Sequence, residues 1–159
     1  MLRLSTKGQY GVRAMFEIAK GSHRGPVTIK EISESQDVSV AYLEQILNKL
    51  RKAGLITSVK GPGGGYVLSS APGRISIGVI LRELEGPVAI TSCLDPKEGC
   101  MRVDGCVTHL LWKSLGEKIE TFLGGMTLED LLKGNQLIEI RRKGGRKRKA
   151  HEGTGARTA

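Results

Sequence analysis

The stretch from Ser39 to Leu68 constrains this chain more than any other. It opens with a serine able to cap a helix, and Tyr42, Leu43, Ile46, Leu47 and Leu50 then recur at the i, i+3, i+4 spacing of one helical face. Gly54 closes that helix at a position suited to a left-handed cap. Two β-prone runs follow, Leu55–Val59 and Tyr66–Leu68, separated by Lys60-Gly-Pro-Gly-Gly-Gly65. Four glycines and a proline in six residues make a loop almost bare of side chains, which can lie close to another backbone.

The residues upstream narrow the choice further. Residues 7–20 set Tyr10, Val12, Ala14, Met15, Ile18 and Ala19 mostly at helical spacing, and Gly21 and Gly25-Pro26 stop the helix. A shorter helix is predicted from Thr28 to Ser35, with Thr28 as cap, Glu31 at the capping-box position, and Ile29 and Ile32 facing inward. Gln36-Asp37-Val38 forms a brief turn before the helix that Ser39 opens. Helix, helix, turn, helix, hairpin is the order of a winged helix-turn-helix.

Downstream, Ile77 to Leu84 and Thr127 to Leu132 read as short helices, and Val107 to Phe122 as a long one. Along it Leu111, Leu115, Ile119 and Phe122 step by 4, 4 and 3 residues. That stripe lies outside the three-helix core, so a twin chain is its expected partner and a homodimer the expected assembly. The predicted fold is mainly α: a winged helix-turn-helix with a small β-hairpin wing, plus a long dimerisation helix. Three regions follow: a DNA-binding domain at 1–74, a ligand-bearing loop with the dimerisation helix at 75–134, and a tail at 135–159 too polar to bury a core and expected to be disordered.

Charge follows the same division. Residues 1–74 hold 11 Lys/Arg against 5 Asp/Glu, residues 75–140 hold 6 against 10, and residues 141–149 add 7 basic residues and no acid. A basic front half is suited to a polyanion, here double-stranded DNA. With no apolar run of about 18 residues and no secretory leader of about 7–15 apolar residues after Met1, a cytoplasmic location is expected.

The helix after the tight turn should enter the major groove. Its first turns carry Ser39, Ala41, Tyr42, Glu44 and Gln45, whose hydroxyl, carboxylate and amide groups can meet phosphates or base edges. Glu44 is repelled by phosphate and is tolerated only beside a donor such as cytosine N4. Lys49, Arg51 and Lys52 suit phosphate neutralisation, and the wing, with Lys60 at its root, suits a narrow minor groove. Lys7, Thr28, Gly63 and Gly64 complete the expected DNA-contacting set.

Three cysteines are an odd number, in an expected reducing compartment, and need an explanation other than a disulfide framework. With a histidine they form Cys93-x6-Cys100-x5-Cys106-x2-His109, four soft or borderline ligands within 17 residues. Three thiolates and an imidazole complete a tetrahedral zinc site or hold an iron–sulfur cluster. Zinc sites usually open with a tighter knuckle than this one, and the longer loops suit a bulkier centre. Buried structural cysteines, a thiol switch or a catalytic Cys–His pair are the alternatives. No oxyanion hole or substrate pocket accompanies the pair, which argues against an enzyme.

The strings LSTKGQYGVRAM, VSVAYLEQILNKLRKAGLITSVKGPGGGYVL and C-x6-C-x5-C-x2-H-x2-W closely resemble the IscR/NsrR/CymR family of winged-helix regulators, over roughly residues 1–135. The resemblance implies a dimer joined through the helix at 107–122 and a cluster ligated by Cys93, Cys100, Cys106 and His109. The nitric-oxide-sensing branch takes a fourth ligand from an N-terminal aspartate of the partner subunit, a position that is Gln9 here. His109 followed by Trp112 matches the IscR branch, which implies a 2Fe–2S cluster with three cysteines and one histidine. The function so implied is operator choice controlled by that cluster, at genes of iron–sulfur assembly. A zinc or thiol switch on the same regulator, or a general nucleic-acid-binding module, are the competing readings.

Overall fold

A computed structural model describes residues 4–91, 94 and 106–134. Cys93, Cys100 and the basic tail from residue 135 onward lie outside the described residues. The chain runs through α1 (Thr6–Gly21), α2 (Ile29–Gln36), α3 (Val40–Lys52), strands β1 (Ile56–Val59) and β2 (Gly65–Leu68), a 3-10 turn at Pro72–Arg74, α4 (Ile77–Glu85), α5 (Val107–Gly125) and α6 (Leu128–Lys133).

Local chemistry places these boundaries. Ser5, Thr28, Ser39, Ser76 and Thr127 each accept a backbone N–H at the start of α1, α2, α3, α4 and α6. Each such cap contributes about 1 kcal/mol. At α2 it is a full capping box: Glu31 N donates to the Thr28 hydroxyl at 3.2 Å, and Thr28 N donates back to the Glu31 carboxylate at 2.7 Å. The end of α3 closes through Leu55 N to Leu50 O and Gly54 N to Arg51 O, both 3.0 Å, with Gly54 at φ +75°. That is the pair of bonds of a Schellman motif.

The hairpin pairs Ile56 with Leu68 and Val59 with Gly65 in antiparallel register. Its root is tied to the chain ahead of α2, where Val27 N donates to Tyr66 O at 3.0 Å and Tyr66 N to Val27 O at 2.8 Å. At this crossing a Cβ on Gly65 (φ +152°) would stand 2.5 Å from Val27 O, so only glycine fits. The wing is therefore fixed to the body at its base.

One hydrophobic core unites Met15 and Ile18 of α1, Ile32 of α2, Leu43, Ile46, Leu47 and Leu50 of α3, and Ile56 of β1. Ile80 and Leu84 of α4 and Leu128 of α6 belong to the same cluster. The core thus crosses the sequence-based boundary at residue 74. A backbone bridge reinforces the crossing: Ile77 N donates to Met126 O at 2.7 Å and Leu128 N to Ile75 O at 3.0 Å. Helix α5 extends three residues past its expected end at Phe122, to Gly125, and contributes only His109 and Gly116 to the buried set. Val107, Leu110, Leu111 and Phe122 are 81%, 63%, 57% and 47% exposed, so its apolar side is left uncovered by the described residues. Among the described residues, no helix is long and apolar enough to cross a membrane.

Candidate nucleic-acid interface and metal ligands

Helix α3 buries Leu43, Ile46, Leu47 and Leu50 and turns the opposite side outward. Ala41, Glu44, Gln45, Asn48 and Arg51, spaced by three and four residues, line an open groove that Ser58 of β1 and Tyr66 of β2 continue. Ser58 and Tyr66 face each other in the hairpin register, so the groove runs from the helix onto the wing. In a winged helix-turn-helix this is the helix face that enters the major groove. Arg51 is held on it: its Nη2 donates to the Asn48 side-chain carbonyl at 3.0 Å.

The structure brings Ala41, Glu44, Gln45 and Arg51 together on this face and gives other expected contacts different local work. Ser39 accepts Tyr42 N at 3.3 Å as the cap of α3, and Thr28 is committed to its capping box. Tyr42 is half-buried against the core, its ring edge-on to Tyr10 with centroids 6.2 Å apart. Arg13 lies over the other ring of this pair, 5.4 Å from the centroid of Tyr10. Lys49 is exposed, and its ammonium donates to Leu84 O at 3.3 Å, the carbonyl end of α4, where a cation is favoured by the helix dipole. It thereby ties α3 to α4. Lys7 is half-buried in the first turn of α1, Lys60 and Gly63 are exposed on the wing, and Gly64 is half-buried there. Asn48, Ser58 and Tyr66 were not picked out from the sequence. Continuing the i, i+3, i+4 series past Gln45 would have found Asn48.

The second candidate site lies at the start of α5. Cys106 is its first flanking residue, and His109 sits one turn on, with His109 N donating to Cys106 O at 3.1 Å. The Thr108 hydroxyl lies 3.0 Å from the Cys106 sulfur. That hydroxyl first, and the backbone N–H of His109 second, hold the Cys106 thiol below the ordinary cysteine range, which favours thiolate, the form that ligates metals. His109 is buried, and its Nδ1 has no hydrogen-bond partner among the described residues. A buried, unpaired ring nitrogen is costly unless something binds it. Leu94, adjacent in sequence to Cys93, lies 4.0 Å from where a Cβ on Gly116 would stand, two turns along α5 from His109. Two soft or borderline donors, the Cys106 sulfur and the free ring nitrogen of His109, suit a thiolate-ligated metal or cluster. Among the described residues no three ligands gather into a metal site, since Cys93 and Cys100 lie outside them. Gln9 uses its amide to donate to Leu4 O at 2.9 Å.

Residues 4–134 match the profile of the Rrf2 family, described as iron-dependent transcriptional regulators. The chain belongs to that family. A regulator from Xenorhabdus nematophila named HTH-type transcriptional regulator IscR is 45% identical over 139 residues, covering 87% of this chain and 84% of its own length. Its namesake from Erwinia tasmaniensis is 43% identical with the same coverage. Among solved structures, IscR of T. potens matches with a TM-score of 0.70 and 42% identity, over 84% of this chain and 88% of its own. CymR, described as the global cysteine regulator of B. subtilis, matches with a TM-score of 0.67 and 40% identity, over 82% and 96%. This Rrf2 regulator is accordingly a DNA-binding transcriptional regulator and not an enzyme. The mainly helical winged fold read from the sequence is the fold of these relatives.

Proposed function

We propose that this Rrf2 regulator chooses its operators according to the state of a 2Fe–2S cluster held by Cys93, Cys100, Cys106 and His109, and that it works as a homodimer in the cytoplasm. The observation that carries the reading is the buried, unpartnered Nδ1 of His109 one turn from the Cys106 thiol. The family description as iron-dependent and the IscR-named relatives add to it. When bound, such a cluster supplies a redox-sensitive centre with visible absorption.

The chain's own residues supply the rest. Cys106 ligates as thiolate, helped by Thr108. His109 would ligate through a ring nitrogen, and a single imidazole among thiolates makes a centre easier to lose than all-cysteine ligation, which suits a sensor. Glu120 of α5 accepts from Val88 N at 3.5 Å and pairs with Arg82 of α4 at 3.6 Å. It thereby links the segment leading to Cys93 with the helix that Lys49 joins to α3. That line offers a route by which ordering near α5 biases the angle of the reading helix. The exposed stripe of Leu110, Leu111, Leu115 and Phe122 is the surface a second copy would cover, and genes of iron–sulfur assembly are the expected targets.

Purification without oxygen, an absorption spectrum and an assay of iron and acid-labile sulfide test the assignment. The expected result is a coloured protein that turns colourless, yet stays folded, on Cys93→Ala, Cys100→Ala or Cys106→Ala. A full iron load in all three variants overturns the ligand set. Colourless wild-type protein carrying zinc, or no metal at all, favours the zinc or thiol switch instead.

A further inference from the structure

The pairing of Asn48 with Arg51 has no structural duty in the core, since both side chains are exposed on the outer face of α3. Among the described residues, Arg51 makes no ion pair with a carboxylate. A guanidinium has only donors, so the amide must turn its oxygen toward Arg51, and this fixes which way Asn48 points its NH2. An asparagine with both ends free reads adenine, accepting from N6–H and donating to N7. Here the acceptor end already takes one hydrogen bond, and the guanidinium that gives it stands beside the remaining lone pair. The free groups at this level of the helix are thus mostly donors: the Asn48 NH2 and the other guanidinium N–H groups. One turn earlier Glu44 offers only acceptors. The face therefore carries an acceptor end and a donor end, with Gln45 between them.

We propose that Asn48, oriented by Arg51, is a specificity-determining residue of this regulator that selects guanine over adenine in the major groove. Guanine presents two acceptors there, O6 and N7, whereas adenine keeps N7 and sets a donor, N6–H2, where guanine has O6, so a pair of donors fits guanine alone. Arg51 is the positioning residue: its guanidinium, set on the amide oxygen, makes an adenine-reading side chain part of a donor-rich pair. The inference rests on α3 as the reading helix and is independent of the cluster. A phosphate oxygen offers the same acceptor chemistry as guanine O6, and the test separates the two.

The full-length protein, as wild type and as Arg51→Met, Asn48→Ala and Gln45→Ala, is used to select duplexes from a randomised pool. Each is then titrated on the wild-type consensus and on its single guanine-to-adenine versions at two salt concentrations. Wild type should require guanine at one position in each half-site and bind the adenine version at least about tenfold more weakly, the low range for one base contact. Arg51→Met frees the Asn48 oxygen and should bring adenine to within about threefold of guanine at that position alone, and Asn48→Ala should flatten the preference. Equal weakening on every duplex, with a shallower salt dependence for Arg51→Met, would make the pair a phosphate anchor and overturn the proposal. No change for Asn48→Ala and Arg51→Met while Gln45→Ala loses specificity would also overturn it. If all three variants bind as wild type does, the assignment of α3 as the reading helix falls with it.

Discussion

The helices around the DNA-reading face and helix α5 are built on opposite terms. Helices α1, α2, α3, α4 and α6 each start with a serine or threonine that accepts a backbone N–H, and each sends apolar side chains into one shared core. Helix α5 starts at Cys106 with no capping hydrogen bond, leaves Leu110 and Leu111 more than half exposed, and buries a histidine instead. The first set is complete within one chain. The second leaves a histidine nitrogen without a partner and an apolar stripe uncovered among the described residues.

The sharpest way to break this contrast is to truncate one leucine in each region. Leu47→Ala, at a fully buried site of α3, should cost about 2–5 kcal/mol in urea unfolding. Leu111→Ala should cost less than about 0.5 kcal/mol in a dilute sample and should instead shift the sedimentation profile toward monomer. If Leu111→Ala destabilised the dilute protein as much as Leu47→Ala, α5 would belong to the core after all.

A second measurement sharpens the DNA-reading side. Glu44 is exposed in the groove, where an unpaired carboxylate loses water on entering DNA. Glu44→Ala should relax sequence choice by about 1–3 kcal/mol per affected base pair, measured against a panel of operators at fixed salt. Uniform weakening at every site would make Glu44 a support and not a discriminator.

Smaller still is the effect of the basic tail. Deleting everything after Gln136 removes the seven basic residues of 141–149. Non-specific binding should weaken and its salt dependence flatten, while operator ranking survives. An unaltered salt slope would mean the tail does not meet DNA.

The least effect comes from acid. Thr28, through its backbone N–H and then its hydroxyl, holds the Glu31 carboxyl below the usual carboxylate range, and Thr127 does the same for Asp130. A carboxyl depressed in the folded state stabilises it above the unfolded pKa, and that stability is lost as pH falls through the folded value. The loss should therefore set in below about pH 5 and deepen further down. Glu31→Gln should start less stable at neutral pH and lose less on acidification. Parallel pH profiles for the two proteins would show that the box holds without its charge.

Much of the reading half was legible because its signals are local. The spacing of Leu43, Ile46, Leu47 and Leu50 and the caps at Thr28 and Ser39 depend only on helix geometry. The partners of Tyr42 and Lys49 within the chain were not legible, because periodicity tells which way a residue leans, and not which neighbour waits there. Tyr10 waits for one and the end of α4 for the other. The shared core on both sides of residue 74 leaves no local signal, because the packing of α4 and α6 on α1 joins residues far apart in sequence. At α5, Cys106 and His109 were found by residue type, but the burial of the ring and its bare nitrogen have no trace in spacing.

The bridge between Ser76 and Thr127 carries a consequence for how such chains diversify. The polypeptide passes this bridge at Ile75, runs through the core helix α4, and comes back to the bridge at Leu128, where hydrogen bonds hold the two points side by side. The segment between α4 and α6 is thus an excursion from a fastened junction. Lengthening such a loop by a residue adds little closure entropy and leaves the junction where it was. A lineage can therefore rebuild that excursion, residue by residue and loop by loop, while the surface of α3 stays in register.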